Sequence, residues 1–378
     1  MRIIFTCGGT AGHIYPAVAV ADLIRKNRPE SGIIFVGAKG RMETELVPRE
    51  GYEIRTLTIS NFSRSVSLNG IKHNINTIKN LWRARKEAIS ILDDFKPDAV
   101  VGTGGYASYP ILRAAAGRNI PTAVHESNAM PGLTTKVLAR HVDRIMVAYE
   151  ESRNAYRYPK KVVVTGTPVR AGFTELSRQE ARAQLGIKQD KLVLLTFWGS
   201  LGARYMNEKM AEFCALAGAA GSFMQIHATG KDKLEDFKNA VRSCGVEPDT
   251  CPNLDLREYI YDMPKVMAAA DLVICRAGAS TLAEIIACGI PAILVPSPNV
   301  TNNHQEKNAR LLEKAGAAKV ILESECTGAS LFEAANALLL DAPGRRKMRE
   351  AQKALAVEDS AYRILEVIDS ITLQNHSA

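Results

Sequence analysis

MRIIFTCGGTAGHIYPAVAVADLIRKNRPESGIIFVG (residues 1–37) decides how the rest of the chain is read. A short β-rich apolar run, Arg2 to Cys7, ends in the glycine turn GGTAGH (8–13). A helical pattern follows from about Pro16 to Arg28, and a second apolar run starts at Gly32. Strand, glycine turn, helix, strand is a βαβ unit, and such units build parallel sheets. The pattern recurs in DAVVGTGGYASYP (98–110), PTAVHESN (121–128) and DRIMVAY (143–149). After VVVTGTPVR (162–170) it starts again with KLVLLTFWGSLGA (191–203), FMQIHATG (223–230), DLVICRAG (271–278) and PAILVPSP (291–298). The expected fold is therefore α/β, with two successive doubly wound halves and a boundary near 160–170. The stretch 345–370 reads as one or two helices, with Met348, Leu355, Tyr362, Leu365 and Ile368 as its apolar positions. Sheets of this kind take ligands at the carboxyl ends of their strands.

A chain of 378 residues suits two domains, each able to bury its own core. The net charge of +8 points to an anionic partner without naming one. Seven cysteines with no CxxC pair suit a reducing compartment. Residues 1–21 are broken by Gly8, Gly9, Gly12, His13 and Pro16, so they do not form the apolar core of a signal peptide. The longest apolar run, about 271–296, holds Arg276 and Glu284 and is too interrupted to span a bilayer. The expected location is cytoplasmic.

The motifs admit a structural and a functional reading each. GGTAGH is a tight strand-to-helix turn or a phosphate cradle, with His13 at its mouth as a general base or phosphate partner. VGTGGYASYP (101–110) repeats the choice with Gly102, Gly104 and Gly105. In WGSLGA (198–203), Ser200 is an N-cap, a diphosphate contact, or both. In GASTLAEI (278–285), Thr281 and Glu284 have capping-box spacing, while a carboxylate at 284 also suits the two hydroxyls of a ribose. Arg170 and Arg276 are phosphate partners or ion-pair residues, and HQEKNA (304–309) is a solvated helix start or one facing a ligand. In IKHNINTIKNLWRARK (71–86), Ile71, Ile75, Ile78 and Trp82 share a helix face that continues to Ile89, which favours packing on the core. The basic residues around it, Arg83 and Arg85 among them, also fit an interfacial helix with Trp82 at headgroup depth.

Taken together, GGTAGHIYPAVAVA (8–21), VGTGGYASYP (101–110), HESNAMPGLTTK (125–136), TGTPVR (165–170), GSLGA (199–203), CRAGASTLAEI (275–285) and HQEKNA (304–309) resemble, in order and over nearly the whole chain, the MurG family. These are the UDP-N-acetylglucosamine (UDP-GlcNAc) transferases of peptidoglycan synthesis. The resemblance implies a GT-B fold of two Rossmann-like domains around a cleft. Residues 1–165 would form the acceptor and membrane domain, with a helix of about 350–370 packed back on it, and 166–349 the donor domain. It implies inverting transfer of GlcNAc to the C4 hydroxyl of undecaprenyl-diphosphate-MurNAc-pentapeptide. The donor would be held by Arg170, Ser200, Ile260, Ala279, Ser280, Thr281, Leu282, Ala283, Glu284 and Gln305. Thr10, Ala11, Gly12 and Asn128 would approach the donor sugar. Gly9, Gly104, Gly105 and Tyr106 would meet the acceptor diphosphate. His13 is the implied base, with Glu126 in reserve. Ile75, Ile78, Trp82, Arg83 and Arg85 would lie on an anionic membrane, at the inner face of the plasma membrane. Other cell-wall synthesis proteins are candidate partners and nucleic acid is not. No cofactor is required, no residue cluster calls for a metal, and magnesium assistance to the departing diphosphate stays open.

The chain departs from the family pattern at three places. Ala11 stands for a glycine, and in the third loop Trp198 and Leu201 stand for a glycine and a glutamine. Tryptophan there is expected to crowd the loop. Rival readings are a UDP-GlcNAc 2-epimerase and a non-catalytic nucleotide-sugar-binding relative. A dehydrogenase is disfavoured: the first half lacks GxGxxG, and after the second strand GAKGRMETE (37–45) puts no acidic residue at the strand end to hold a ribose.

Overall fold

The structure is a computed structural model that describes residues 1–59, 68–170, 172–199 and 202–376, with side chains except at 68–81, 301 and 374–376. The chain forms two compact units, Met1–Arg170 with Val357–Ala378, and Ala171–Ala356.

The first unit holds strands β1 (Arg2–Thr6), β2 (Gly32–Ala38), β3 (Glu53–Leu57), β4 (Ala99–Gly102), β5 (Thr122–Glu126), β6 (Arg144–Val147) and β7 (Val162–Val164). All are parallel, in the order β3-β2-β1-β4-β5-β6-β7. Strand alternation sends Ile3 and Phe5 into one core and Ile4 into another, so both faces of the sheet are covered. The C-terminal helix Ser360–His376 covers the first face: Ile364, Leu365, Ile368 and Ile371 pack with Phe5, Ile14 and Val18. Arg28 fastens it by donating to both oxygens of Asp369 at 2.7 Å. The helix Leu68–Phe95 covers the other face through Ala84, Ala88, Leu92 and Phe95.

The second unit repeats the plan with β8 (Val193–Phe197), β9 (Met224–Ala228), β10 (Leu254–Arg257), β11 (Leu272–Cys275), β12 (Ala292–Leu294) and β13 (Lys319–Val320), in the parallel order β10-β9-β8-β11-β12-β13. Buried Arg182 donates to Asp271, to the carbonyls of Ala269, Gln189 and Lys191, and so ties the chain entering β8 to that entering β11. The helix Ala342–Leu355 stays with this unit, where Gln352 donates to the carbonyls of Ile290 and Ala317. Both units are thus doubly wound and Rossmann-like, the α/β GT-B class.

Each sheet has one place where the strand order reverses: between β1 and β4, and between β8 and β11. Loops leaving such a pair part to opposite faces and leave a crevice at the carboxyl edge. The four glycine-rich motifs, at 8–13, 102–105, 199–203 and 277–279, are the loops that leave those four strands.

Candidate functional site

In the first unit the helix after β1 begins at Ala11, earlier than the expected Pro16, and runs to Asn27 with Pro16 inside it. Proline forfeits only one helix bond in the second turn, so it does not mark the start. His13 consequently sits in the first helical turn. Its Nδ1 lies 2.8 Å from the Gly8 carbonyl oxygen and 3.4 Å from Thr10 Oγ1. A carbonyl accepts only, so Nδ1 carries a proton, and in the neutral ring the lone pair is then on Nε2. The second glycine turn packs on the ring: a Cβ on Gly104 would lie 2.6 Å from His13 Cδ2 and 2.9 Å from Nε2. Thr103 Oγ1 donates to the His13 carbonyl at 2.5 Å, which joins the two turns.

The amide of Gly9, a residue expected to meet the acceptor diphosphate, donates to Glu43 Oε2 at 3.1 Å. Glu43 is fully buried and was not singled out from the sequence. Its other oxygen accepts the Ala38 N–H at 2.9 Å. Tyr106 lies between Arg41 and this carboxyl; burial raises its phenol pKa, Arg41 pulls it down and Glu43 pushes it up.

Glu126, at the end of β5, accepts four hydrogen bonds: from Asn128 N and Nδ2, from Gly132 N and from Thr135 Oγ1, at 2.8–3.1 Å. A carboxyl with its lone pairs so engaged shapes the loop 126–135 and orients Asn128, and it is the weaker candidate base. Neighbouring His125 is fully buried, with Nε2 at 2.8 Å from the Gly166 carbonyl; burial lowers its pKa and keeps it neutral.

In the second unit the helix after β11 spans Ala279–Cys288, with Gly278 as N-cap and no side-chain cap. Thr281 is therefore not the N-cap that the capping-box reading needs, because the helix starts before it. Thr281 lies in the first turn, and Glu284 sits half-buried one turn on. Ala279, Ser280, Thr281 and Ala283 are also half-exposed, while Leu282 turns into the core. Ile260, after β10, has a buried side chain, and the exposed rings of Tyr259 and Tyr261 on either side of it in sequence meet at a tilt, with centroids 4.9 Å apart. Gln305 is fixed by accepting the Ser297 N–H at 2.9 Å. Arg276 pairs with Glu323 and donates to the Val295 carbonyl at 3.1 Å, as the ion-pair reading has it. Arg170, in the first unit, lays its guanidinium 4.1 Å from the centre of the Tyr15 ring. Ser200 and Leu201 lie outside the described residues.

The matches to known proteins decide the family. Residues 3–147 match the glycosyltransferase family 28 N-terminal domain, and residues 193–364 match its C-terminal domain. The chain belongs to glycosyltransferase family 28. Within this family it is 44% identical, over 98% of its length and 100% of the relative's, to a Thermoanaerobacter sp. (strain X514) protein. That protein is named UDP-N-acetylglucosamine–N-acetylmuramyl-(pentapeptide) pyrophosphoryl-undecaprenol N-acetylglucosamine transferase. Among solved structures it is similar to Acinetobacter baumannii MurG, with 26% identity, a TM-score of 0.74 and coverage of 98% and 99% of the two chains. The UDP-GlcNAc 2-epimerase of Neisseria meningitidis shares 16% identity at a TM-score of 0.66, over 98% of this chain and 100% of that one. At that identity the epimerase shares the fold alone.

Two family 28 departures can now be placed. Trp198 is 4% exposed and packs with Leu194, Met206, Met210 and Ile274 beneath the loop it begins. Gly199, beside it, has a φ of +87°, and a Cβ there would meet nothing within 4 Å. Ala11 occupies the first position of its helix, where a methyl group is tolerated. Trp82 is 64% exposed, against the core-packing reading of its stripe and in keeping with the interfacial one. The helix turns Ala84, Ala88 and Leu92 inward instead, about 80–160° away from Trp82 at roughly 100° per residue. Trp82, Arg85 and Ile89 form one wall of a 440 Å³ groove, with Tyr109, Arg113 and Arg118 opposite. Arg83 pairs with Glu87 at 3.0 Å. The side chains of Ile75 and Ile78 lie outside the described residues.

Proposed function

We propose that this family 28 glycosyltransferase moves GlcNAc from UDP-GlcNAc to the C4 hydroxyl of undecaprenyl-diphosphate-MurNAc-pentapeptide, with inversion at the anomeric carbon. The observation that carries the mechanism is the His13 ring: its Nδ1 proton is committed to Gly8, and Nε2 is left as an acceptor. The acceptor's C4 oxygen attacks the anomeric carbon as its proton passes to Nε2. The bond from that carbon to the diphosphate oxygen breaks, and UDP leaves with the electron pair. One displacement inverts the centre, and no sugar–enzyme bond forms.

The donor is held mainly by residues of the second unit, with Arg170 from the first. Glu284, half-buried in the helix that follows β11, accepts the ribose hydroxyls. The uncapped N-terminus of Ala279–Cys288 offers first-turn amides to the diphosphate, where the helix dipole favours negative charge. The Ile260 backbone meets uracil, and Arg170, Ser200 and Gln305 complete the set. Thr10, Ala11, Gly12 and Asn128 approach the sugar, and Gly104, Gly105 and Tyr106 face the acceptor diphosphate. The exposed Trp82 and the arginines around its groove support a peripheral site on an anionic membrane, at its inner face. No described helix is long and apolar enough to cross a membrane.

The test is transfer of radiolabelled GlcNAc from UDP-GlcNAc to a short-chain lipid-linked MurNAc-pentapeptide diphosphate, with an acceptor-free control. Acceptor-dependent product is expected. A 2-epimerised sugar in the control, or donor binding with no product, would overturn the reading.

A further inference from the structure

We propose that Glu43 is a positioning residue for the reaction, acting on His13 through a single peptide group. The proposal rests on His13 as the base. Gly9 N–H and Gly8 C=O are the two ends of one planar peptide unit. Glu43 Oε2 accepts at the N–H end, at 3.1 Å, and His13 Nδ1 donates at the C=O end, at 2.8 Å. Carboxyl, peptide and imidazole thus form a continuous hydrogen-bonded chain. An acceptor on the N–H end polarises the unit and strengthens its carbonyl as an acceptor. The effect is to hold the proton on Nδ1 and the lone pair on Nε2. It is the role a carboxylate plays when bonded directly to a catalytic histidine, here carried out at one remove.

The surroundings are built for that arrangement. Glu43 opens a short helix just after β2, and β2 lies beside β1, so the carboxyl reaches back under the turn that leaves β1. Glycines make the space: a Cβ on Gly8 would lie 2.8 Å from Glu43 Oε1, and one on Gly37 would collide with its Cγ. Gly105 presses on the same carbonyl from the other side, where a Cβ would collide with the Gly8 oxygen. The peptide unit is therefore held at both ends and cannot flip without breaking the chain. A fully buried carboxyl is costly unless its oxygens are bonded, and both are.

Glu43→Gln keeps the shape but turns an NH₂ group toward one of the two amides. Turnover should fall by about 10- to 100-fold, the scale of a misplaced catalytic group, with KM for UDP-GlcNAc nearly unchanged. ¹⁵N NMR of histidine-labelled protein, with the His13 signal identified by its loss in His13→Gln, reads the tautomer directly. The native chain should show the Nδ1–H form, and Glu43→Gln a shift toward a mixture. If Glu43→Gln fails to fold cooperatively, Glu43→Asp, which keeps the carboxyl but shortens its reach, carries the same two readouts. A folded variant with native turnover, or with lost turnover but an unchanged His13 tautomer, overturns the proposal. Native turnover in His13→Gln overturns the base reading and this proposal with it. Impaired His13→Gln beside fully active Glu43→Gln overturns this proposal alone.

Discussion

Replacing Gly104 with alanine tests the contact between the second glycine turn and the His13 ring. The new methyl carbon would start 2.6 Å from His13 Cδ2 and 2.9 Å from Nε2. Carbon atoms settle near 3.5–4.0 Å, so the ring has to retreat by about 1 Å. A misplacement of that size costs a positioned group about 100-fold in rate. The backbone adds its own penalty: Gly104 has a φ of +111°, which an alanine adopts at a cost of roughly 1–3 kcal/mol. Gly186→Ala separates the two effects. Gly186 also has a positive φ, of 68°, but a Cβ there meets nothing within 4 Å. Both variants should lower the denaturation midpoint. Only Gly104→Ala should lower kcat in the transfer assay, by about two orders of magnitude, with KM for UDP-GlcNAc little changed. If Gly104→Ala loses stability yet keeps native kcat, either the ring is not held against that turn or His13 is not the base.

Other perturbations test the remaining elements. His13→Gln should reduce turnover about 100-fold or more while UDP binding by calorimetry stays intact; lost acceptor affinity at native turnover would move His13 to a binding role. Glu284→Ala should weaken UDP-GlcNAc binding by roughly 1–3 kcal/mol; unchanged donor affinity with a lowered denaturation midpoint would make Glu284 a structural residue instead. His227 is fully buried in β9, and burial pulls its pKa from 6.5 down to about 3. The unfolded chain therefore binds the proton first, so this stability is complete above pH 6.5 and drains away as pH falls toward 3. Between pH 7 and pH 5 the loss is about 2 kcal/mol from the linkage relation, and urea titrations of His227→Gln should show that much less acid sensitivity than the native chain. Trp82→Ala should reduce sedimentation with anionic vesicles while leaving turnover on a short-chain soluble acceptor intact; unchanged vesicle binding would remove Trp82 from the membrane surface.

What could be read from the sequence, and what could not, divides along one physical line. The α/β class and the two halves were legible because a βαβ unit is local: apolar runs, glycine turns and helical spacing all lie within some 40 residues of one another. The loops at the strand reversals were legible for the same reason, since each follows directly from the strand that ends in it. Glu43 was not. Its contact with Gly9 spans 34 positions and exists because β2 is laid beside β1, a choice of neighbour that no spacing rule within an element can express. The sequence reading did note that no acidic residue ends the second strand. The acid was five residues further on, turned inward on the protein's own glycine turn rather than outward on a ribose. Trp82 and Trp198 were ambiguous for another reason. Helical periodicity collects residues on a face but does not say whether that face meets the core or the solvent; the core-facing and interfacial readings both stood, and Trp82 went outward, as the interfacial one requires. A tryptophan beside a glycine turn was expected to fill the loop, but the interior under β8 had room for the ring, and burial of an aromatic surface outweighs exposure. In each case the decisive quantity was a relation between elements. A residue that acts through another element's backbone, as Glu43 acts through the Gly8–Gly9 peptide, leaves no motif of its own, because its chemistry is expressed only after the sheet has ordered its strands.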